Sequence, residues 1–377
     1  MDSLSRLLFK VKRKLKKKLR DVELFRAYLS RRGRTPRPAP GQKAVWIDLH
    51  DNSYVRYLYI LVKYFQAEGY QVYLSENPRF LLSLGDDYSR FLIEEEFVRF
   101  SSKVPEGAIA FTDRVSNSRV RRKLSNDYFL HTPDTGSHRY HVPIGMHPHM
   151  YKYGWWNAPY DESQRKRSVF FAGNFDPNDY KIFSSSRKFK MIDRLELQKQ
   201  LLTMEQTRFP KSFDELKGGA KHGSIDIVDK GNFVVEQSDL RSVIANYSFF
   251  IACPGVFMPQ SHNVYEAMSV GTVPIIHEEY AQLFAPALEH GRNAVLYNND
   301  NFTERLQEAL TYPEEKVNEL VRNVKTYYEH HLSPKAIVAA LSSDQYREVY
   351  LNAEKTSIRK LNARKEGPGE NSLGKAA

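Results

Sequence analysis

Residues 261 to 276, SHNVYEAMSVGTVPII, set Ser, His and Asn ahead of an apolar helical repeat, with a lone Glu at 266 and a Gly at 271. Ser261 suits a helix N-cap and Gly271 a left-handed stop. The stretch between them reads as about two and a half helical turns, and TVPII as the strand that follows. The N–H groups and positive dipole end at the start of such a helix suit a diphosphate. Glu266 falls three residues after Asn263 and four after His262, on the face shared with the helix start. A carboxylate about one turn beyond a phosphate can accept both hydroxyls of a ribose, as the acidic residue of dinucleotide sites does. Val264, Ala267 and Met268 point toward a sheet instead. By itself, Glu266 is equally well read as an exposed helical carboxylate.

Other polar groups cluster at 48 to 53 (DLHDNS), after the apolar AVWIDL, and at Asp113 in FTDR. The competing role for DLHDNS is a helix cap, which Asn52 or Ser53 can fill while leaving Asp51 free. Five histidines (His131, His138, His141, His147 and His149) invite a metal, but their spacings match no standard zinc site and no cysteine assists. The single cysteine, Cys253, excludes an intramolecular disulfide and sits in the apolar run YSFFIAC, so it reads as an inert buried thiol.

The elements that position these groups fall into two series. AVWIDL (44–49), the helix YVRYLYILVKYFQAEGY closed by Gly69, and the strand QVYLS form a βαβ unit, which implies parallel strands. GAIAFTD (107–113) and DYFLHT (127–132) are expected to add strands. Residues 131–160 have no clean period and read as a connection. A second series begins at SVFFAGN (168–174) and passes through a helical region near FKMIDRLELQKQLLTME. It returns to strands at FVVE, YSFFIAC, TVPII and AVLY, and ends in helices within 302–350. The expected fold is therefore α/β, with two Rossmann-like domains facing across a cleft. The boundaries are 1–43 for a basic helix and linker, 44–150 for the first domain, 151–167 for a linker, 168–350 for the second domain, and 351–377 for a disordered tail. Ligands of open parallel sheets bind beyond the carboxyl ends of the strands, which places the site in the cleft.

At 377 residues the chain exceeds what one core usually serves. Of its net charge of +11, residues 1–43 carry 15 Lys and Arg against Asp2, Asp21 and Glu23, so the body is close to neutral and the arm is basic. Leu4, Leu8, Val11, Leu15, Leu19 and Val22 recur there at helical spacing among lysines and arginines. Such a helix fits the interface of an anionic membrane, with residues 1–25 as the contact. Docking on the protein's own surface is the plainer alternative, and nucleic acid is the least favoured partner, since an apolar stripe has no use in phosphate binding. With no signal peptide and no spanning segment in the sequence, a cytoplasmic protein peripheral to the inner face of the membrane is expected.

SFFIACPG followed by SHNVYEAMSVGTVPII resembles the C-terminal-domain signature of GT-B glycosyltransferases, especially exostosin-like and fucosyltransferase-like enzymes. VFFAGNF followed by Arg194 resembles the strand, glycine loop and Arg-bearing helix that open the same domain. The resemblance covers about residues 168 to 300. It implies that Glu266 binds the ribose of a nucleotide-sugar, that Ser261, His262 and Asn263 lie along its diphosphate, and that Gly173 and Asn174 approach from the other side. The family usually has Arg where His262 or Asn263 stands, which leaves Arg187, Lys188 or Arg194 to supply that charge, with Arg194 best placed by motif. Such enzymes stabilise the departing diphosphate with helix dipoles and basic side chains, use no bound metal or cofactor, and, when inverting, draw a general base from the N-terminal domain. Asp51 and His50 lead as that base, with Asp113 next. HVPIGMHP resembles the interdomain linker of this fold; the histidine cluster around it is expected to line the cleft at the hinge, where His138 and Arg139 would reach a donor phosphate or an acceptor. The implied activity is sugar transfer from a nucleotide-sugar to a glycan or lipid-linked acceptor, in bacterial envelope polysaccharide assembly. The alternative is a scaffold of the same fold without turnover, tethered to membrane or nucleic acid by its arm.

Overall fold

A computed structural model describes residues 18–31, 38–51, 55–77, 87–183, 189–217 and 222–365. Residues 18–31 form helix α1. The expected stripe of Leu4 to Leu15 lies outside the described residues. In α1 the stripe residues Leu19 and Val22 are exposed, together with Phe25 and Leu29, whereas Leu24 and Tyr28 are buried in the core. Arg31 donates to the carbonyls of Ile93, Glu94 and Glu95. The second half of the arm is thus docked on the protein itself, and only its outer face is open. No described helix is long and apolar enough to cross a membrane.

The first sheet begins at β1 (Ala44–Asp48), every residue of which is buried. Helix α2 (Val55–Ala67) is buried throughout Tyr57 to Phe65, Lys63 included, and the chain turns at Gly69 with φ +76°. A helix apolar on all sides needs cover on all sides. α2 finds it against β2 (Gln71–Leu74), α3 (Asp87–Glu94), α4 (Pro148–Lys152) and a helix from the far end of the chain. Strands β3 (Val98–Phe100), β4 (Ile109–Thr112), β5 (Arg122–Ser125) and β6 (Arg139–His141) complete this half of the sequence.

The second sheet comprises β7 (Lys166–Gly173), β8 (Thr207–Arg208), β9 (Ile225–Asp229), β10 (Tyr247–Ala252), β11 (Val273–His277) and β12 (Val295–Tyr297). Helices α5 (Arg194–Leu202), α6 (Gln237–Ala245) and α7 (His262–Ser269) lie between its strands in sequence. After it come α8 (Phe302–Thr311), α9 (Glu314–Tyr327), α10 (Pro334–Ser342), strand β13 (Glu348–Tyr350) and α11 (Lys355–Lys365). α10 is the helix that covers α2.

Both sheets are parallel. The first has the order β3-β2-β1-β4-β5-β13-β6 and the second β12-β11-β10-β7-β9-β8. Each reverses direction around its first strand, so the switch points lie between β1 and β4 and between β7 and β10. There two loops leave in opposite directions and a crevice opens.

Three expectations change. DYFLHT is a turn rather than a strand, because Tyr128 is drawn into the core, where its hydroxyl donates to Val142 O; the strand is the preceding RKLS. FVVE is unpaired, because Asp229 Oδ1 accepts from Gly231 N and turns the chain there; the strand is IDIVD, before it. The second domain does not run to 350, and 351–365 is no disordered tail. β13 pairs with both β5 and β6, and Ser357 Oγ of α11 donates to Asn126 O, so the chain end belongs to the first sheet. Residues 366–377 lie outside the described residues. Likewise, the connection expected over 131–160 contains β6 and α4.

Candidate functional site

At the first switch point the residues after β1 and β4 fold onto one another. Asp113 Oδ2 accepts the backbone N–H of both His50 and Asp51, each at 2.8 Å. This fixes the loop, so Asp113 is spent on positioning. Asp51 accepts from the Asn126 amide. Sequence reasoning passed over Asp48, the last residue of β1. Its carboxylate is 1% exposed and accepts from Arg114 Nη2 at 2.7 Å, Arg114 Nε at 3.1 Å and Thr112 Oγ1 at 3.0 Å. Burial pushes the Asp48 carboxyl up, but the hydrogen bonds from Arg114, Thr112 and Ser75 outweigh it and hold the group below the usual carboxylate range. The other oxygen, Oδ1, lies 3.1 Å from His50 Nε2. A carboxylate can only accept, so Nε2 carries the proton and Nδ1 is the basic nitrogen. Nδ1 meets Asn77 Nδ2 at 3.1 Å. His50 is 42% exposed and faces an open groove of about 1650 Å³ that Asp48, Asp51, Asn77, Arg114 and Trp46 also line. Asn52 and Ser53 lie outside the described residues. The signal for Asp48 and Arg114 was present, since they adjoin His50 and Asp113 in sequence; what it lacked was the pairing of β1 with β4.

At the second switch point Arg194 gathers two loops. Its Nη1 donates to Asn174 O at 3.1 Å, Nε to Pro254 O at 3.1 Å and Nη2 to Cys253 O at 3.4 Å, and its guanidinium lies over the rings of Phe171 and Tyr180. Gly173 is required here, because a Cβ would stand 2.5 Å from Phe171 and 3.3 Å from Arg194. The Asn174 side chain is used within its own loop, on Asp179 and Asp176. Asn263 Nδ2 donates to Ala172 O at 3.3 Å, which joins the start of α7 to the end of β7. Ser261 holds the N-cap position, yet its Oγ donates to Asn263 Oδ1 and no side chain caps the first turn. Ser261 N is itself bonded to Tyr280 Oη at 2.7 Å. Gly173, Asn174, Arg194, Ser261 and Asn263 are therefore brought together. Arg187 and Lys188 lie outside the described residues. Cys253 is buried, which pushes its thiol up to about 12.

The opposite face of α7 turns toward the interdomain connection. Glu266 is 2% exposed, and its Oε1 accepts from His147 N at 3.0 Å. Burial raises its pKa to about 7, against the pull of that N–H and of Arg241. One of its two oxygens is thus engaged by the His147 N–H. His262 Nδ1 meets Gly145 O at 2.9 Å, and burial, with Arg56 nearby, lowers its pKa to about 3. Neither side chain stands open at the helix start. His138 and Arg139 pair with Glu348 rather than projecting into the cleft, and His141 stacks on Tyr350 with ring centroids 4.6 Å apart. Among the described residues no three His, Cys, Asp or Glu side chains converge as a metal site.

Two Rossmann-like parallel sheets, each with a polar cluster at the carboxyl ends of its switch-point strands, define the class as a two-domain α/β protein. No family model matches the chain, and no curated protein matches it either. Among solved structures it is similar to Anabaena HepE in complex with UDP, at 10% identity and a TM-score of 0.39, over 80% of this chain and 98% of that one. The same protein in complex with UDP-glucose matches at 11% identity and a TM-score of 0.36, with the same coverage.

Proposed function

We propose that the chain is a GT-B glycosyltransferase that moves a sugar from a nucleotide-sugar to a glycan or lipid-linked acceptor in cell-envelope polysaccharide assembly. The observation that carries this reading is the meeting of the Gly173–Asn174 loop, the Cys253–Pro254 turn and the uncapped start of α7 around Arg194. These are the residues on which the exostosin-like resemblance rests, and they lie where an open parallel sheet takes its ligand. The start of α7 receives the diphosphate. Arg194 acts on it indirectly, by holding both flanking loops.

Across the cleft the Asp48–His50 pair gives the first domain a base. In an inverting transfer His50 Nδ1 takes the proton of the acceptor hydroxyl as its oxygen bonds to the anomeric carbon. The bond from that carbon to the diphosphate breaks, and the diphosphate leaves with the electron pair. Asp48 holds the imidazolium that results. No step in this scheme uses a metal. The exposed side of α1, Leu19 and Val22 with the basic residues around them, rests on anionic lipid at the inner face of the membrane.

Titration with a panel of nucleotide-sugars, read as heat of binding and as release of nucleoside diphosphate, tests the enzyme. At least one donor should bind and turn over slowly without acceptor. A second reading, a scaffold of this fold without turnover, draws on two facts: Glu266 is closed off by His147 N–H, and the Arg194 donors are spent on carbonyls. No binding and no hydrolysis of any donor decides for the scaffold. Equal binding to anionic and neutral liposomes removes the membrane contact.

A further inference from the structure

The sequence left the start of α7 without the arginine that a departing diphosphate calls for, and Arg194 does not supply it, since its donors hold backbone carbonyls. A different arginine stands near that start, from the other domain. Arg56 lies in the first turn of α2, the helix that leaves the β1 switch point. The next residue, Tyr57, packs against His262, the first residue of α7, with ring centroids 6.0 Å apart. The starts of the two helices therefore meet across the cleft. The positive charge of Arg56 lowers the pKa of His262, after burial itself, and reaches His147 as well, there behind burial and the neighbouring His262 and His149.

Among the described residues, three polar atoms here are buried without a hydrogen-bond partner: Arg56 Nε, Tyr57 Oη and His262 Nε2. Tyr57 is only 3% exposed, with the Arg56 guanidinium beside it, and a hydroxyl left unpaired at that depth is costly. An anionic ligand with several acceptor oxygens would satisfy the two donors among them, and the cationic guanidinium favours it over a neutral one.

Arg56 is also held in place deliberately. Its Nη1 pairs with Glu354, on the segment that links β13 to α11. Glu354 sits at φ +46°, a left-handed conformation that is strained for a non-glycine residue. The adjoining Asn352 turns that segment with its Oδ1 on Glu354 N, while its Nδ2 reaches Met258 in the β10–α7 loop at 3.1 Å. Strain at Glu354 is thus spent where the first domain, the chain end and the second domain meet. The Tyr88 ring, 5.0 Å from the guanidinium, closes another side.

We infer that Arg56, supplied by the first domain, is the cation that binds the diphosphate at the start of α7, with Tyr57 as a second donor and Glu354 as the residue that positions Arg56. This rests on the nucleotide-sugar reading above and adds to it: the charge that stabilises the leaving group is complete only when the two domains are together.

Inorganic pyrophosphate, which carries the diphosphate without base or sugar, is the probe. Calorimetric titration of the full chain should show binding that weakens with salt. Arg56→Gln should lower the affinity at least tenfold and Arg56→Lys by less, with thermal unfolding confirming that each variant is folded. Glu354→Gln separates the roles, because it keeps the arginine and its charge but loses the ion pair that positions it, so binding should weaken by less than in Arg56→Gln. If Arg56 served only to bridge to Glu354, the Glu354→Gln and Arg56→Gln proteins would behave alike, and that result overturns the inference. So does unchanged pyrophosphate affinity in Arg56→Gln when the wild type binds. A wild type that binds neither pyrophosphate nor any nucleotide-sugar overturns the glycosyltransferase reading and this assignment with it.

Discussion

His50 and Asp48 show how much one hydrogen bond settles. With Nε2 committed to a carboxylate that Arg114 and Thr112 hold ionised, the imidazole has one basic nitrogen and one orientation. Replacing His50 by Asn should cut transfer about 10²- to 10⁴-fold with little change in donor binding, the usual worth of a positioned base. Asp51→Asn should retain most of the rate; if it loses as much as His50→Asn, the base is Asp51. Glu266 supports a prediction about pH. Its folded pKa, about 7, lies above the unfolded value near 4.5, so the folded state holds the proton more tightly. Its contribution is fully present below pH 4.5 and is lost as pH rises through 7, a change of roughly 3 kcal/mol. Glu266→Gln should flatten that part of the stability curve, measured as urea midpoints between pH 5 and 8. A slope that survives the substitution places the titration elsewhere. Sequence alone put Glu266 on α7, in a helix that starts at the loop after β10. What it could not show was that His147 N–H, over a hundred residues away, already occupies the carboxylate.

Among the elements, strands ending in polar residues were the most legible feature. β1, β2, β4, β7, β10, β11 and β12 all fall where their apolar runs put them, and Gly69 and Gly271 stop their helices at φ +76° and +77°. Among the strands missed, IDIVD alternates apolar with acidic residues and VRF is only three residues long, and the others have no apolar run. RKLS and RYH read as polar, and EVY lies outside the second series altogether, because pairing rather than composition makes them strands. The connection between domains carries a test of its own. Gly145 has φ +68°, and a Cβ there would stand 2.0 Å from Tyr64 Oη and 3.0 Å from Tyr151 Oη. Gly145→Ala should therefore destabilise by at least about 2–3 kcal/mol, beyond the usual cost of a positive φ, because both tyrosines are buried in the core. A thermal shift within a degree of wild type would mean that the connection relaxes freely. Arg194→Ala should behave differently from a lost ligand contact. It orphans the carbonyls of Asn174, Cys253 and Pro254, so stability and nucleotide binding should fall together, by about 1–3 kcal/mol for each group left buried and unpaired.

At the scale of the molecule, the two-domain layout was visible in the repetition of βα units, and the return of the chain end was not. β13 sits between β5 and β6 and pairs with each, so cutting the chain after residue 343 removes an interior strand rather than a tail. Such a truncation should leave the second sheet protected from hydrogen exchange while the β5–β6 side of the first exchanges freely. Equal protection of both sheets would show that β13 is dispensable.

That return also governs synthesis and motion. The first domain is discontinuous in sequence, because residues 166 to 342 form an insertion between β6 and β13. During synthesis the strands of the second sheet all precede β13, so the first sheet cannot close its β5–β6 side until β13 has been made. Once assembled, the two bodies are joined by two covalent crossings, one after β6 and one before β13. Any turn of one body against the other has to pass through both crossings at once, and through the contacts of Tyr57 with His262 and of His147 with Glu266.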